Sequence, residues 1–200
     1  MIELLFIRHG KTAGNLRHNY VGVTDEPLCP VGLAELGKRR YAKVDLVFCS
    51  PMLRCRQTAA LLYPDIEPYI IEDMRECDFG EFENQNYQDL SGKAAYQQWL
   101  DSNGESGFPG GETREEFVQR CCRGFEQGLA QIQRLANQPQ AVAFVVHGGT
   151  IMALLSQYTG EDYFSAMCEN GGGYKCRLDW DLWQREHRLA DMTPLGWEEE

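Results

Sequence analysis

Two short apolar runs, each ending abruptly in polar side chains, constrain the fold of this chain more than any other feature. Residues 4–7 lead directly into Arg8 and His9, and residues 142–146 lead into His147. Continuous runs of β-branched and aromatic residues are typical of strands buried in a parallel sheet. Ligands of open α/β sheets bind beyond the carboxyl ends of such strands. We therefore expect both histidines at one edge of the sheet, where Arg8 would favour an anionic group.

Composition narrows the classes of protein and of partner. The 200 residues, 43% hydrophobic and 24% charged, suit one globular domain spanning 1–200. A net charge of −11 disfavours a nucleic acid partner, because phosphate backbones require clustered Lys and Arg. A small phosphorylated substrate remains compatible, since a local basic pocket can override the overall field. No apolar run approaches the ~20 residues that span a bilayer, so we expect no membrane partner.

Cysteine usage favours a reducing compartment. Eight cysteines are present, but none forms a C-x-x-C pair, the strongest zinc and redox signature. The first residues lack the basic region and cleavage site of a signal peptide. We expect reduced cysteines in a cytoplasmic protein.

Strand and helix patterns alternate along most of the chain. We predict strands over residues 2–7, 45–49, 69–71 and 142–146, and helices over 33–42, 53–63, 94–101, 113–136 and 151–158. In the helix over 53–63, Leu53, Ala60 and Leu61 are expected on one face. The patterns at 174–179 and 183–189 predict an antiparallel hairpin through a turn at Asp181, followed by a loose acidic tail over 193–200.

This alternation predicts an α/β fold. Helices on both faces of a mostly parallel central sheet give a three-layer sandwich. The segment from about 72 to 111 is different, because it is rich in polar and aromatic residues and has weak periodicity. We interpret it as an insertion over the sheet edge, which suits a lid above a site.

The loop after the first strand invites two chemical interpretations. Gly10-Lys11-Thr12 resembles the end of a nucleotide-binding P-loop, but Leu5 occupies the position where that pattern requires a glycine. Alternatively, a neutral imidazole at His9 attacks phosphorus, with cations around the phosphoryl oxygens. Arg-His-Gly alone is a weak signal, because a histidine packed in the core is the more common explanation for it.

Two further segments supply groups that such chemistry needs. Arg54 falls in the first turn of a helix after the second strand. The helix dipole disfavours a cation at this position, and an anion bound nearby would offset that cost. Arg56 is expected at the surface. A proton donor is also required for the leaving oxygen, and Glu76 and Asp78 are both candidates on chemical grounds.

Taken in order, these motifs resemble the histidine phosphatase superfamily, in its phosphoglycerate-mutase-like branch. The matching segments are Arg-His-Gly-x-Thr-x-x-Asn at 8–15, Ser-Pro-x-x-Arg-x-x-Gln-Thr-Ala at 50–59, Glu-x-x-x-Gly-x-x-Glu at 76–83, Gly-Gly-Glu at 110–112 and His-Gly-Gly at 147–149. The ordered set runs through nearly the whole chain and is highly specific.

The resemblance implies a role for each matching position. His9 would be the phosphorylated nucleophile, and Glu76 rather than Asp78 the general acid and base. Arg8, Arg54 and His147 would hold the phosphoryl oxygens. Asn15 would add a contact, and the backbone N–H of Gly148, next to Gly149, would approach the same anion. Glu112 resembles a supporting residue that orients an arginine. Neither metal nor cofactor is implied, and His18 and His187 are expected at the surface.

One residue departs from the family pattern. Asn84 stands where a glycine usually follows the motif ending at Glu83, which affects the expected local turn.

Substrate and reaction type remain open at this level. The few basic residues between Glu76 and His147 favour hydrolysis over a mutase, which retains a second phosphate; a non-catalytic phosphate-binding module is the third alternative. Alpha-ribazole phosphatases are short members of the family with a similar layout, so alpha-ribazole 5'-phosphate is the leading substrate, with broad specificity next. The aromatics of the 72–111 segment would line a site or form core. The acidic surface permits a monomer or a homodimer.

Overall fold

A computed structural model describes residues 1–196 as a twisted sheet between layers of helices. The strands are β1 Ile2–Arg8, β2 Leu46–Cys49, β3 Tyr69–Ile70, β4 Ala141–Val146, β5 Gly173–Leu178 and β6 Ala190–Pro194. Their order across the described sheet is β3-β2-β4-β1-β5-β6. Strand β5 is antiparallel to both β1 and β6, and the other pairings are parallel. The predicted mostly parallel sheet is therefore confirmed.

The helices connect these strands and cover both faces of the sheet. They are α1 Ala13–Leu16, α2 Pro30–Gly37, α3 Leu53–Leu62, α4 Tyr87–Leu90, α5 Ala94–Asp101, α6 Arg114–Gln133, α7 Gly148–Thr159 and α8 Trp180–Glu186. Short 3₁₀ turns occur at Glu72–Met74, Gly80–Phe82 and Tyr163–Ala166. No helix within the described residues is both long and apolar enough to cross a membrane.

The hydrophobic core has two parts, one on each face of the sheet, because successive side chains of the central strands point to opposite faces. Phe6 and Phe144 stack at 5.4 Å on one face, where they contact Phe125 of α6. Leu5 and Val145 point to the other face, against α3. Side chains of successive strand residues point to opposite faces, so a strand covered on both sides is apolar at every position. The three-layer α/β architecture predicted from the runs is the one observed.

Helix boundaries and faces differ in places from the predictions. The second helix begins at Pro30 rather than residue 33, because Cys29 caps it and proline suits the first turn. In α3 the face that carries Leu53, Ala60 and Leu61 is turned outward: Leu61 is 44% exposed, whereas Arg54 and Thr58 on another side are fully buried. Cys55 and Ala59 of α3 pack against the apolar core on one face of the sheet, whereas Arg54 and Thr58 are polar and belong to the candidate site.

The predicted closing hairpin was wrong in its second strand. Residues 180–186 form α8, because the Asp179 side chain accepts hydrogen bonds from the backbone N–H groups of Asp181 and Leu182 and caps a helix there. The antiparallel partner of β5 is β6, at Ala190–Pro194. Residues 193–194 of the predicted tail therefore lie in a strand, and residues 197–200 are outside the described part.

Candidate active site

The carboxyl ends of three neighbouring strands deliver the predicted side chains to one edge of the sheet. His9 follows β1, and its backbone N–H donates to Val146 at the end of β4 at 3.0 Å. Ser50 follows β2 and likewise donates to Val145 at 3.1 Å. Parallel pairing therefore brings His9, His147 and the start of α3 together, although they are distant in sequence.

The His9 ring is fixed in one orientation by its own loop. Its Nδ1 lies 2.7 Å from the carbonyl oxygen of Gly10. A carbonyl only accepts, so Nδ1 carries the proton and Nε2 keeps its lone pair. Gly10 is itself held by Thr58, whose Oγ1 accepts from the Gly10 N–H at 3.1 Å. The loop thus presents one basic nitrogen of His9.

Burial keeps this imidazole neutral. His9 is 3% exposed. Desolvation, followed by the positive charges of Arg54 and Arg8, holds its pKa well below 6.5. A neutral imidazole is the nucleophilic form.

His147 lies against His9 with its ring centroid 5.1 Å away, in an edge-on arrangement. It is fully buried, its Nε2 lies 2.8 Å from Ser50 Oγ, and Cys55 Sγ contacts the same nitrogen at 3.4 Å. Desolvation, then the charge of Arg54, lowers its pKa well below 6.5. The cationic form of His147 is therefore disfavoured in this structure, and a phosphoryl dianion nearby would raise its pKa.

Two arginines flank the histidines. Arg54 is fully buried, and its guanidinium donates to the carbonyl oxygens of Thr24 at 2.8 Å and Gly22 at 2.9 Å. Arg8 donates from Nη1 to the carbonyl oxygen of Cys168 at 2.7 Å. Among residues 1–196, the buried Nε of each arginine has no hydrogen-bond partner. These contacts fix both guanidiniums and leave each with an uncommitted donor.

Glu76 lies against the start of α7. Its carboxylate oxygens accept from the backbone N–H of Cys77 at 3.0 Å and of Gly149 at 3.2 Å. Burial raises the pKa of Glu76, although these two hydrogen bonds and the charges of Arg54 and Arg8 oppose the rise. A raised pKa suits a carboxyl that donates a proton near neutral pH.

Other predicted positions fall around the same group. Asn15 Oδ1 accepts from the backbone N–H of Thr12 and from Asn170 Nδ2, both at 3.1 Å, so its amide orientation is fixed. Gly148 packs against Arg8: a Cβ there would lie 3.2 Å from Arg8 Nε. The Glu112 carboxylate pairs with Arg120 at 2.6 Å, the kind of contact expected for Glu112.

Sequence reasoning missed the loop before β5. Asn170 Nδ2 donates to the His9 carbonyl oxygen at 3.1 Å, and the Gly171 N–H donates to both Arg8 and His9 carbonyls. A Cβ on Gly173 would lie 1.8 Å from the carbonyl oxygen of Phe6. The asparagine followed by three glycines was the available signal, because such runs mark close approach of backbone.

Asn84, which stands where the family pattern has a glycine, forms a left-handed turn after Glu83. Its φ is +60°, a left-handed conformation that asparagine adopts more readily than most residues. Its side chain donates to Thr24 Oγ1 at 2.9 Å, and its N–H donates to the Tyr20 carbonyl oxygen at 2.8 Å. The turn geometry is therefore kept without glycine.

A cavity of about 320 Å³ opens above these groups. Its polar lining includes Arg8, His9, Asn15, Glu76 and Gly148, whereas His147 and Arg54 are buried next to His9 and do not line it. An aromatic part of its wall is formed by Tyr20, Phe79, Trp99, Phe108, Tyr163 and Phe164. Phe82 is buried beneath this wall and Tyr87 is 58% exposed outside it, so the aromatics of the 72–111 segment divide between site, core and surface.

The comparison with protein families identifies this arrangement. Residues 4–179 match the model of the histidine phosphatase superfamily, branch 1. The chain belongs to that family. The resemblance read from the motifs is confirmed, and with it the expected class of enzyme, a histidine-type phosphatase. The match covers every one of the predicted site positions.

Individual relatives carry several activities in their names. The adenosylcobalamin/alpha-ribazole phosphatase of Escherichia coli is 29% identical over 167 residues, 80% of each chain. A 2,3-bisphosphoglycerate-dependent phosphoglycerate mutase of Methylobacterium is also 29% identical, over 78% of this chain and 80% of its own. Among solved structures, the alpha-ribazole phosphatase of Shigella flexneri superimposes with a TM-score of 0.77 and 25% identity, over 90% of this chain and 92% of its own.

Proposed function

We propose that this histidine phosphatase hydrolyses small phosphomonoesters, without a metal, through a phosphohistidine at His9. The observation that carries the proposal is the buried, neutral His9, whose Nδ1 is committed to Gly10 while Nε2 remains basic. An imidazole held in this way can attack phosphorus without prior loss of a proton.

In the first step, His9 Nε2 forms a bond to phosphorus as the bond to the leaving oxygen breaks. Arg8 and Arg54 hold the phosphoryl oxygens through their free donors. His147, the Asn15 amide and the Gly148 N–H complete this cradle. Because charge is spread over three oxygens in the transition state, donors fixed in advance stabilise it.

Glu76 supplies the proton in this step and recovers it in the next. In its protonated form, which burial favours, it donates to the leaving alkoxide and becomes a carboxylate. That carboxylate then takes a proton from water, whose oxygen attacks the phosphohistidine. Inorganic phosphate leaves, and both His9 and Glu76 return to their starting states.

The leaving group is proposed to be alpha-ribazole or a similar nucleoside-like alcohol. Stacking on the aromatic part of the cavity wall would accommodate a flat base. The name of the Shigella flexneri neighbour supports the same choice. The segment from 72 to 111, which contributes Phe79, Trp99 and Phe108, is proposed as the lid over this group.

Hydrolysis is favoured over phosphoglycerate mutase activity by the charges in the cavity. Beyond Arg8, Arg114 is the further arginine among the described lining residues, and it stacks on Tyr163 with its charge 4.9 Å from the ring centroid. A mutase must retain a doubly phosphorylated intermediate, which requires more cations than this. Water is therefore the proposed acceptor.

We also propose a cytoplasmic location, a single working domain over 1–200 and a monomeric or homodimeric state. All eight cysteines are free thiols, which suits a reducing compartment. The described strands form one sheet, which supports a single domain.

The function is tested by turnover of 4-nitrophenyl phosphate in the presence of EDTA. We expect hydrolysis, an acid-labile phosphoenzyme in rapidly quenched reactions, and loss of both in His9→Ala. Turnover that survives in His9→Ala, or that requires an added metal, would contradict the proposal. Conversion of 3-phosphoglycerate to its 2-isomer after priming with bisphosphoglycerate would instead establish the mutase.

The substrate is tested with a pair that shares one leaving alcohol. Alpha-ribazole 5'-phosphate and ribose 5-phosphate both lose a primary ribose oxygen, so their kcat/KM ratio reports binding of the base alone. We expect this ratio to be well above one and to fall in Trp99→Ala. Tyr87→Ala is the matched control, because this lid aromatic does not line the cavity.

A further inference from the structure

Arg120 and Glu112 form an ion pair that does not line the cavity. It contacts the backbone on both sides of Glu76. Arg120, in the second turn of α6, bonds to Glu112 in bidentate fashion, Nε to Oε1 at 2.7 Å and Nη2 to Oε2 at 2.6 Å. The side chains are 9% and 21% exposed. Bidentate pairs of this kind combine strength with fixed direction.

The remaining donors of Arg120 all go to backbone before and at Glu76. Nη1 donates to the carbonyl oxygens of Asp73 at 3.0 Å and Arg75 at 2.9 Å. Nη2 donates to the carbonyl oxygen of Glu76 itself at 3.1 Å. With the two bonds to Glu112, each of the five guanidinium N–H groups has an acceptor. Arg120 therefore has no donor left for a substrate.

Glu112 holds the backbone on the other side of Glu76. Its Oε2 accepts from the Asp78 N–H at 2.9 Å, and its own N–H donates to the Asp78 carbonyl oxygen at 3.0 Å. Residues 75–79 form neither helix nor strand. Side chains thus supply the hydrogen bonds that regular structure would otherwise give to this stretch.

The Glu76 side chain depends on this backbone path. Its carboxylate bonds only to the backbone N–H groups of Cys77 and Gly149 among the described residues. A Cβ on Gly149 would lie 2.4 Å from Glu76 Oε1, so the space on that side is already full. Displacement of the segment would move the carboxyl away from the leaving oxygen, and proton transfer is sensitive to such displacements.

Because the charges of Arg120 and Glu112 offset each other, the pair has little effect on the pKa of Glu76. Burial opposes ionisation of Glu112, but hydrogen bonds from Arg120 prevail and lower its pKa. The cations that act on the pKa of Glu76 are Arg54 and Arg8. Arg120 is neutralised by Glu112 and therefore fixes the backbone around Glu76 without removing the proton that Glu76 donates.

We propose that Arg120 and Glu112 are positioning residues for proton transfer by Glu76. This inference rests on the proposed function. It predicts that weakening the pair impairs reactions that need a proton on the leaving oxygen and spares those that do not.

The test compares kcat/KM for benzyl phosphate and 4-nitrophenyl phosphate, because benzyl alcohol leaves with a proton whereas 4-nitrophenolate leaves without one. In Arg120→Lys and Glu112→Gln, we expect benzyl phosphate to lose about 10²-fold and 4-nitrophenyl phosphate less than about fivefold. The alkaline limb of the benzyl phosphate pH profile, which reports ionisation of Glu76, should shift as well. We compare kcat/KM because it reports the steps up to release of the alcohol and does not depend on the later hydrolysis of the phosphoenzyme.

Arg123→Met is the matched control. Arg123 lies one turn further along α6 and contacts the same 3₁₀ turn from outside, through Asp73 at 3.6 Å, with 59% of its side chain exposed. We expect both substrates to be unaffected. Equal losses for both substrates in folded Arg120→Lys and Glu112→Gln, or no loss for either, would overturn the inference. Failure of the wild type to form a phosphoenzyme would instead overturn the proposed function.

Discussion

Burial decides the protonation state of both histidines in the site. For His9 and His147 the desolvation of the charged imidazole is the largest influence, and the neighbouring arginines act in the same direction. Each ring therefore resists protonation in the folded state but accepts a proton freely once unfolded. A group whose pKa differs between the folded and unfolded states makes the stability of the fold depend on pH.

The linkage predicts a pH dependence of stability. As the pH falls below about 6.5, the unfolded state takes up protons at His9 and His147 that the folded state does not, so stability is lost towards acid. Each histidine contributes at most about 1.4 kcal/mol per pH unit. In His9→Gln and His147→Gln, the slope of Tm between pH 7 and 5 should be shallower. His18→Gln, at an exposed histidine outside the site, is the matched control.

Glu76 gives a second prediction at this scale. Because burial raises its pKa, the protonated acid persists to higher pH than an ordinary glutamate would allow. The rate for alkyl phosphates should fall as the pH rises through that pKa. Glu76→Gln should slow benzyl phosphate by about 10²–10⁴-fold and remove this alkaline limb. An unchanged rate in Glu76→Gln, with a large loss in Asp78→Asn, would transfer the role to Asp78.

At the scale of elements, the junction between β4 and α7 is the most constrained part of the site. A Cβ on Gly149 would lie 2.4 Å from Glu76 Oε1 and 3.2 Å from Phe117 Cε1, so the Glu76 carboxyl would have to move to make room for it. The helix N-terminus and the acid are therefore in direct contact. Strand, helix start and acid form one unit.

Gly149→Ala should accordingly displace Glu76. We expect kcat/KM for benzyl phosphate to fall by at least about tenfold. Gly37→Ala in α2 is the matched substitution, since a Cβ there meets nothing within 4 Å. It should keep full activity and gain up to about 1 kcal/mol in free energy of unfolding, because alanine is the better helix former. Steady-state rates and denaturant titrations of both variants check this, and retained activity in Gly149→Ala would contradict the contact.

Elements were predictable from sequence where one physical signal dominated. Residues 4–7 of β1 and 142–146 of β4 are apolar at every position, a pattern that is typical of a strand covered on both faces of the sheet. Thr113 caps α6 as its side chain suggests. In α8, by contrast, an Asp cap competed with a β-like pattern over 183–189, and the cap prevailed through two hydrogen bonds. The pattern could not reveal which of the two would win.

The candidate site shows the same limit. Positions beside strand ends, such as His9 and His147, follow from local sequence and parallel pairing. Asn170 and Arg120 do not, because their roles depend on backbone contacts 161 and 44 residues away. The glycines after Asn170 indicate that backbone approaches closely there, but no local pattern shows which distant residue either side chain will contact.

At the scale of the whole molecule, local and overall charge oppose each other. The chain carries a net charge of −11, yet Arg8 and Arg54 converge with two histidines at one edge of the sheet. Each arginine retains a buried donor without a partner in the described chain. A folded protein with such donors gains stability from any anion that satisfies them.

Inorganic phosphate should therefore stabilise the folded enzyme. At a phosphate concentration of 100 times Kd, we expect about 2.7 kcal/mol of added stability. A thermal melt with and without phosphate measures this as a rise in Tm. Arg8→Met should largely remove the rise, and Arg56→Met, at an exposed arginine on the same helix as Arg54, should keep it. A phosphate effect of equal size in Arg8→Met would place the anion elsewhere.

Strand order also has a consequence for biosynthesis. Among the described strands, β1 leaves the ribosome first, yet it lies between β4 and β5 in the sheet. Its apolar residues have no strand partner until β4 has emerged at residue 146, roughly 7–30 seconds later at ordinary rates of translation, and β5 follows only at residue 178. Throughout that interval the nascent polypeptide exposes an apolar segment of the kind that chaperones recognise. His9, the proposed nucleophile, is thus synthesised long before the strand that leads into His147.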